Sequence, residues 1–191
     1  RNIVWDVITC VNKVNIDSIV QFRDYIISKG IKHWRIFTVF PAGRAKDNDN
    51  LQLTSEQYKY LLEFIAQTRR EGKIDLSYGC EGFLGNYELK VRNYPFFCQA
   101  GINVASILND GSISGCLSIR SNYNQGNIYE NSFIDVWNTQ FQLYRNREWM
   151  KNGNCTSCKM WRYCEGNGMH LRDDKGDLLL CNMLKITTFK N

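Results

Sequence analysis

The spacing of four cysteines near the end of the chain constrains its fold more than any other feature. Cys155-Thr156-Ser157-Cys158 is followed after five residues by Cys164, and after a further sixteen by Cys181. A C-x2-C pair is short enough for both sulfurs to reach one ion or one cluster. A third thiolate nearby, and a fourth returning from a loop, then complete tetrahedral coordination. Zinc and an iron–sulfur cluster both suit such a donor set. A disulfide framework is the usual recourse of short chains without a core, and here 43% of 191 residues are apolar. A thiol–disulfide oxidoreductase places its C-x2-C at the head of a helix in a βαβ unit. Cys155 and Cys158 instead sit late, in a glycine-rich stretch. A second pair, Cys98 and Cys116, brackets Gly111 with twelve residues before it and four after. A hairpin turn at Gly111 can carry both sulfurs to one end of the structure.

The first eighty residues alternate strand and helix, an α/β pattern. Ile3 to Thr9 reads as a buried strand. A helix follows from Asn15 as N-cap, with Ile16, Ile19, Val20, Ile26 and Ile27 on one face and Gly30 as its stop. Trp34 to Phe40 is a second strand, ended by Pro41. Thr54 and Gln57 make a capping box that opens a helix with Tyr58, Leu61, Leu62 and Ile65 inward and Gly72 past its end. Ile74 to Tyr78 is a third strand. Such a β-α-β-α-β series implies parallel strands. Three strands and two helices are few for a free-standing α/β domain, so the segment reads as part of a larger sheet or barrel.

After Tyr78 the pattern changes, and glycines, aromatics and cysteines become frequent. Ile102 to Leu108 and Ile113 to Cys116, joined by Asn109-Asp110-Gly111, read as a β-hairpin. Ser132, with Asp135 three residues on, starts a helix bearing Phe133, Val136, Trp137 and Phe141. The last forty residues are loop-like, as suits a small region organised around metal. Net charge is +5, but Lys and Arg are scattered without a basic run, so no nucleic-acid partner is expected. No run approaches the roughly 18 apolar residues of a membrane-spanning helix. No signal peptide is visible, and the chain opens on Arg1 rather than Met.

Taken together, Cys98-x12-Gly111-x4-Cys116 followed by Cys155-x2-Cys158-x5-Cys164 and Cys181 resembles the SPASM domain. That domain is the auxiliary-cluster region of radical S-adenosylmethionine enzymes that modify peptides and proteins. The family pattern has one more cysteine where this chain has Gly168, so one ligand of the first auxiliary cluster is missing. Val7-Ile8-Thr9-Cys10-Val11-Asn12 and Phe40-Pro41-Ala42-Gly43-Arg44-Ala45 look like late strands of the family's partial (β/α)6 barrel. Loops after such strands approach bound S-adenosylmethionine, which marks Pro41, Gly43 and Arg44 here. The C-x3-C-x2-C triplet that such enzymes need for radical chemistry does not occur in these residues. The chain is therefore expected to be the C-terminal portion of a longer enzyme, inactive without its N-terminal half.

The resemblance implies a barrel half with parallel strands over 1–79 and a small cysteine-rich α+β domain with a hairpin over 80–191. It implies that Cys155, Cys158, Cys164 and Cys181 ligate the second auxiliary [4Fe-4S] cluster, and Cys98 and Cys116 the first. Cys80, at a strand end in Gly79-Cys80-Glu81-Gly82, is weighed as a third ligand of the first cluster against a buried structural thiol. The fourth is open: His170, weighed against a surface histidine, is a candidate, as are water and bound peptide. One or two clusters are expected, relaying an electron or anchoring a peptide or protein substrate, in a cytoplasmic setting and away from membranes. Zinc is a substitute where a cluster is lost. Leu117 directly follows the second hairpin cysteine, where sulfatase-maturing relatives place a proton-accepting Asp, which argues against that activity. The rival from another class is a non-enzymatic, zinc-stabilised interaction module. Cys10 is expected to pack inside its strand, Trp149, Trp161 and Tyr163 to form core around the cluster, and Asp173 to Asp177 to make a solvated turn.

Overall fold

The computed structural model describes residues 6–187, so Ile3, Val4 and Trp5 of the expected first strand lie outside the described residues. Two compact units divide the chain. One runs to Phe96 and resumes at Cys181; the other is Phe97–Leu180.

In the first unit, β1 (Val7–Val11), β2 (His33–Thr38) and β3 (Asp75–Tyr78) form a sheet in that order. Both pairs are parallel, with Val7 opposite Trp34 and Trp34 opposite Leu76. The pleat sends alternate side chains to opposite faces. On one face Trp34, Ile36, Leu76 and Tyr78 are buried; on the other Ile8, Cys10, His33, Arg35 and Asp75 are exposed. Cys10 therefore does not pack inside its strand as expected. A continuous apolar run suggests burial on both faces, and this sheet is covered on one.

The covered face shares a core with α1 (Ile19–Ser28) and α2 (Ser55–Glu71). Asn15 precedes a 3-10 turn, Ile16–Ser18, but does not cap it. Its side chain is used elsewhere, accepting from the Asn12 amide at 2.9 Å and donating to the Cys10 carbonyl at 3.0 Å. The capping box of α2 forms as predicted. Thr54 Oγ1 accepts from the Gln57 amide at 3.2 Å, and Gln57 Oε1 from the Thr54 amide at 3.0 Å. Tyr58, Leu61, Leu62 and Ile65 are all buried, as their helical spacing requires.

Residues 80–96, expected to open the cysteine-rich domain, group with the first unit, where Tyr87 OH donates to Glu63 Oε1 at 2.7 Å and Arg69 Nη2 to Asn93 Oδ1 at 2.6 Å. After α3 (Glu88–Val91) is reached, the Glu88 carboxylate accepts from the Leu84 amide at 2.7 Å and the Phe96 amide at 2.8 Å. Arg92 donates to the Gly82 carbonyl at 3.1 Å. A short terminal helix, Asn182–Ile186, joins the same unit: Asn182 Nδ2 donates to the Glu81 carbonyl, and Lys185 Nζ to that of Leu53 at 3.1 Å.

In the second unit β4 (Ser106–Ile107), β5 (Ser112–Ser114) and β6 (Gly126–Asn127) form an antiparallel sheet in chain order. The first two are the expected hairpin, shorter than its apolar runs. Gly111 takes φ +84° in its turn, a conformation that strains residues bearing a Cβ. No sequence signal marks β6, which is two residues long. Ser132 caps α4 (Phe133–Thr139), while Phe141 falls just past it, before α5 (Gln142–Arg145). Ile113, Val136, Phe141, Tyr144, Met150 and Met169 make the core. Tyr144 donates to the Tyr123 carbonyl at 2.8 Å and accepts from the Gly115 amide at 3.0 Å. A Cβ on Gly115 would come within 2.4 Å of that ring, so the phenol can lie against this backbone only because residue 115 is glycine.

Candidate metal centre

Cys155 ends a 3-10 turn, Gly153–Cys155, and its carbonyl accepts from the Cys158 amide at 3.3 Å. Cys164 ends α6 (Trp161–Cys164). Cys155 is buried, Cys158 exposed and Cys164 half-buried. Beside Cys155 lies Arg172, only 1% exposed. Its Nη2 donates to Cys155 Sγ at 3.3 Å and to the Gly166 carbonyl at 3.0 Å. Its Nη1 donates to Asn152 Oδ1 at 2.9 Å and to the Gly176 carbonyl at 2.7 Å. Among the described residues no carboxylate forms an ion pair with Arg172. A guanidinium is always charged, and a buried charge without a counter-charge is costly.

Cys98 and Cys116 are half-buried and both pack on the core of the second unit. They share a neighbour in Tyr144, whose phenol is pushed up first by burial and then by both sulfurs. Arg147 is buried here too. It donates to the Cys98 carbonyl at 2.5 Å and to the Tyr144 carbonyl at 3.1 Å, and its guanidinium lies 4.7 Å from the Phe97 ring. Its Nη1 is buried without a hydrogen-bond partner. An orphaned cationic N–H beside a cysteine is what an anionic metal–thiolate group would satisfy.

His170 is buried rather than on the surface, and burial pulls its imidazole down to about 4, which keeps it neutral. Its ring also accounts for Gly168. A Cβ there would meet His170 Cε1 at 2.7 Å and Nδ1 at 2.9 Å. The imidazole thus occupies the space into which a Cβ at 168 would project.

Cys80 and Cys181 belong to the first unit, whereas Cys98, Cys116, Cys155, Cys158 and Cys164 belong to the second. Cys80 is exposed, not a buried thiol, and lies near enough to Arg35 to add to the rise that Asp6 chiefly causes in that guanidinium. Pro41 is half-buried, and Gly43 and Arg44 are exposed in a 3-10 turn, Gly43–Ala45, beyond β2. Among the described residues no group of three or more His, Cys, Asp or Glu is gathered closely enough to hold one metal ion. The all-thiolate donors, the guanidinium on Cys155 Sγ and the orphaned Arg147 Nη1 nonetheless fit the anionic thiolates of an iron–sulfur cluster.

Trp149 and Trp161 are half-buried and Tyr163 is exposed, so only the two indoles reach the core. Asp173 Oδ1 accepts from the Lys175 and Asp177 amides, each at 2.9 Å, which makes the expected turn.

Sequence reasoning missed Arg147, Arg172 and Glu81. Glu81 Oε2 accepts from the Thr38 amide at 2.7 Å, the Thr38 hydroxyl, and Tyr78 OH at 2.9 Å. Burial nevertheless raises its carboxyl to about 7, outweighing those bonds and Arg92. The only signal available was adjacency to Cys80.

Residues 98–159 match the family model of SPASM, an iron–sulfur cluster-binding domain. The match contains Cys98, Cys116, Cys155 and Cys158 and ends before Cys164 and Cys181. It bears out the resemblance read from the cysteine spacing. No curated protein matches the chain. Among solved structures, Streptococcus suis SuiB bound to S-adenosylmethionine aligns with a TM-score of 0.54 at 19% identity, over 84% of this chain and 40% of that one. Native anSMEcpe with bound AdoMet and Cp18Cys peptide aligns with a TM-score of 0.57 at 18% identity, over 92% of this chain and 51% of that one. The chain thus spans only 40% and 51% of the lengths of these two structures. At such identities the likeness is one of fold: an α/β chain with a parallel and an antiparallel three-stranded sheet. No helix among the described residues is long and apolar enough to cross a membrane.

Proposed function

With residues 98–159 matching an iron–sulfur cluster-binding SPASM domain, we propose that the chain is the auxiliary-cluster portion of a radical S-adenosylmethionine enzyme. That match, which takes in members of both cysteine groups, carries the proposal. Cys155, Cys158, Cys164 and Cys181 ligate one [4Fe-4S] cluster, and Cys98, Cys116 and Cys80 contribute to another. Bound clusters supply one-electron chemistry, at potentials set by burial and by hydrogen bonds to their sulfurs. The chain's own part is to hold the thiolates, to set buried guanidinium groups beside Cys98 and Cys155, and to relay an electron from the substrate or anchor it.

The fold supports a larger parent. Parallel sheets are ordinarily buried on both faces, and β1–β3 leave one face exposed. The first unit is then the late part of a (β/α)6 barrel, completed by an N-terminal half that carries the radical triplet. In it Pro41, Gly43 and Arg44 border S-adenosylmethionine. The structures it resembles were solved with S-adenosylmethionine, one of them also with a peptide, which supports a peptide or protein substrate. Leu117 is exposed and offers no proton acceptor, which argues against sulfatase maturation as the activity.

Anaerobic reconstitution with iron and sulfide tests the reading. The expected product is brown, absorbs near about 400 nm, and holds about four irons and four sulfides for each cluster. Colourless protein with one zinc per chain under the same conditions would establish the interaction module instead.

A further inference from the structure

Arg172 forms five hydrogen bonds, and four of them explain a loop clasp. Those four go to the neutral acceptors Gly166 O, which takes two, Gly176 O and Asn152 Oδ1. None of them calls for a full positive charge at a site 1% exposed to solvent. The fifth goes to Cys155 Sγ at 3.3 Å. It is the one bond whose acceptor becomes anionic when it binds metal, since a thiolate is the ligating form. We infer that Arg172 is a positioning residue for electron transfer, whose N–H donated to Cys155 Sγ raises the reduction potential of the iron–sulfur centre that Cys155 ligates. The inference rests on the cluster ligation proposed above.

Its physical basis is a difference between two oxidation states. Reduction adds one negative charge to the centre. A fixed cation at hydrogen-bond distance, shielded from water, stabilises the reduced form more than the oxidised one. A lysine at 172 would keep the charge but lose the planar fork that reaches sulfur and carbonyl together. A glutamine would keep an N–H and lose the charge.

The test is an EPR-monitored redox titration of the anaerobically reconstituted chain, with the Cys155 centre identified as the signal lost in Cys155→Ser. Arg172→Gln is expected to lower the one-electron reduction constant at least about tenfold, a shift of about 59 mV to more negative potential. Arg172→Lys should fall between. Asn152→Ala, which loosens the same clasp without touching the sulfur, should stay at the wild-type potential. Iron-loaded Arg172→Gln with an unshifted potential would overturn the inference and leave the cluster intact. Should the Arg172 variants not fold, wild-type protein carrying 15N-arginine gives the answer: pulsed EPR should detect a nitrogen coupling at this centre, and its absence would overturn the inference. A wild-type chain that takes up no cluster would defeat the functional reading itself.

Discussion

The two units hold their chains with different materials. In the first, a three-stranded sheet and a seventeen-residue helix interlock Trp34, Leu61, Leu62, Ile65 and Leu76, each fully buried. Stability there scales with the apolar area removed from water. In the second, the longest helix has seven residues, too few to present a wide apolar stripe. Side chains reach for carbonyls instead. Arg145 donates to Gly101 at 3.2 Å and Trp137 at 2.7 Å, and Arg147, Arg172 and Tyr144 clasp other loops. Where elements are too short to hold a core by themselves, polar clasps and, on the functional reading, an inorganic centre support it.

Metal removal is the strongest way to break this contrast. Chelating iron from the reconstituted chain should destabilise the second unit by several kcal/mol, because ligand binding and folding are coupled in such domains. Hydrogen exchange is expected to accelerate across β4 to α6 while amides of α2 keep their protection. Equal loss in both units would show that the first depends on the cluster as much as the second, and the division drawn here would fail.

The contrast also explains what could be read from the sequence. The α2 stripe and capping box and the Gly111 hairpin are local patterns with fixed periods, and each appears in the structure; the cysteine spacing, another such pattern, is borne out by the family match. Asn15 failed as a cap because its amide found the Cys10 carbonyl and the Asn12 amide, a competition invisible in spacing. Cys10 was misplaced because an apolar run does not say how many faces of a sheet are covered. Arg172 sits in His170-Leu171-Arg172-Asp173, indistinguishable from any solvated basic residue, and only its loop partners at 152, 166 and 176 reveal it. His170 and Gly168 explain one another, but through packing rather than through any motif. The second unit was therefore legible in its hairpin and illegible in its clasps.

A pH series sharpens the comparison, with effects somewhat smaller. Burial raises Glu81 in the first unit from 4.5 to about 7. Between those values the folded state holds a proton that the unfolded chain releases, so stability falls as pH rises through that window and levels off above it. The total is on the order of 3 kcal/mol. Glu81→Gln should abolish the slope and stabilise the first unit at pH about 8, leaving it near wild type at pH about 4. The second unit slopes the other way in the metal-free chain. Burial lowers His170 from 6.5 to about 4, so stability present above 6.5 is lost as pH falls toward 4. Urea unfolding followed by hydrogen exchange in each unit reads both slopes. A slope unchanged in Glu81→Gln would remove Glu81 as its source.

The smallest effect belongs to the start of α2. Thr54→Ala deletes the acceptor of the Gln57 amide but leaves the Thr54 amide bonded to Gln57 Oε1. Half of the capping box survives, and residue 54 is exposed, so water can take the freed N–H. The cost should therefore lie at the low end of capping effects, about 0.5–1 kcal/mol, and Thr54→Ser should restore it. The change should appear as faster exchange in the first turn from Ser55, with no change in the second unit or in its iron content. A cost well above about 2 kcal/mol would mean that this helix is held at its end rather than along its apolar face, and the first unit would then depend on polar clasps in the manner of the second.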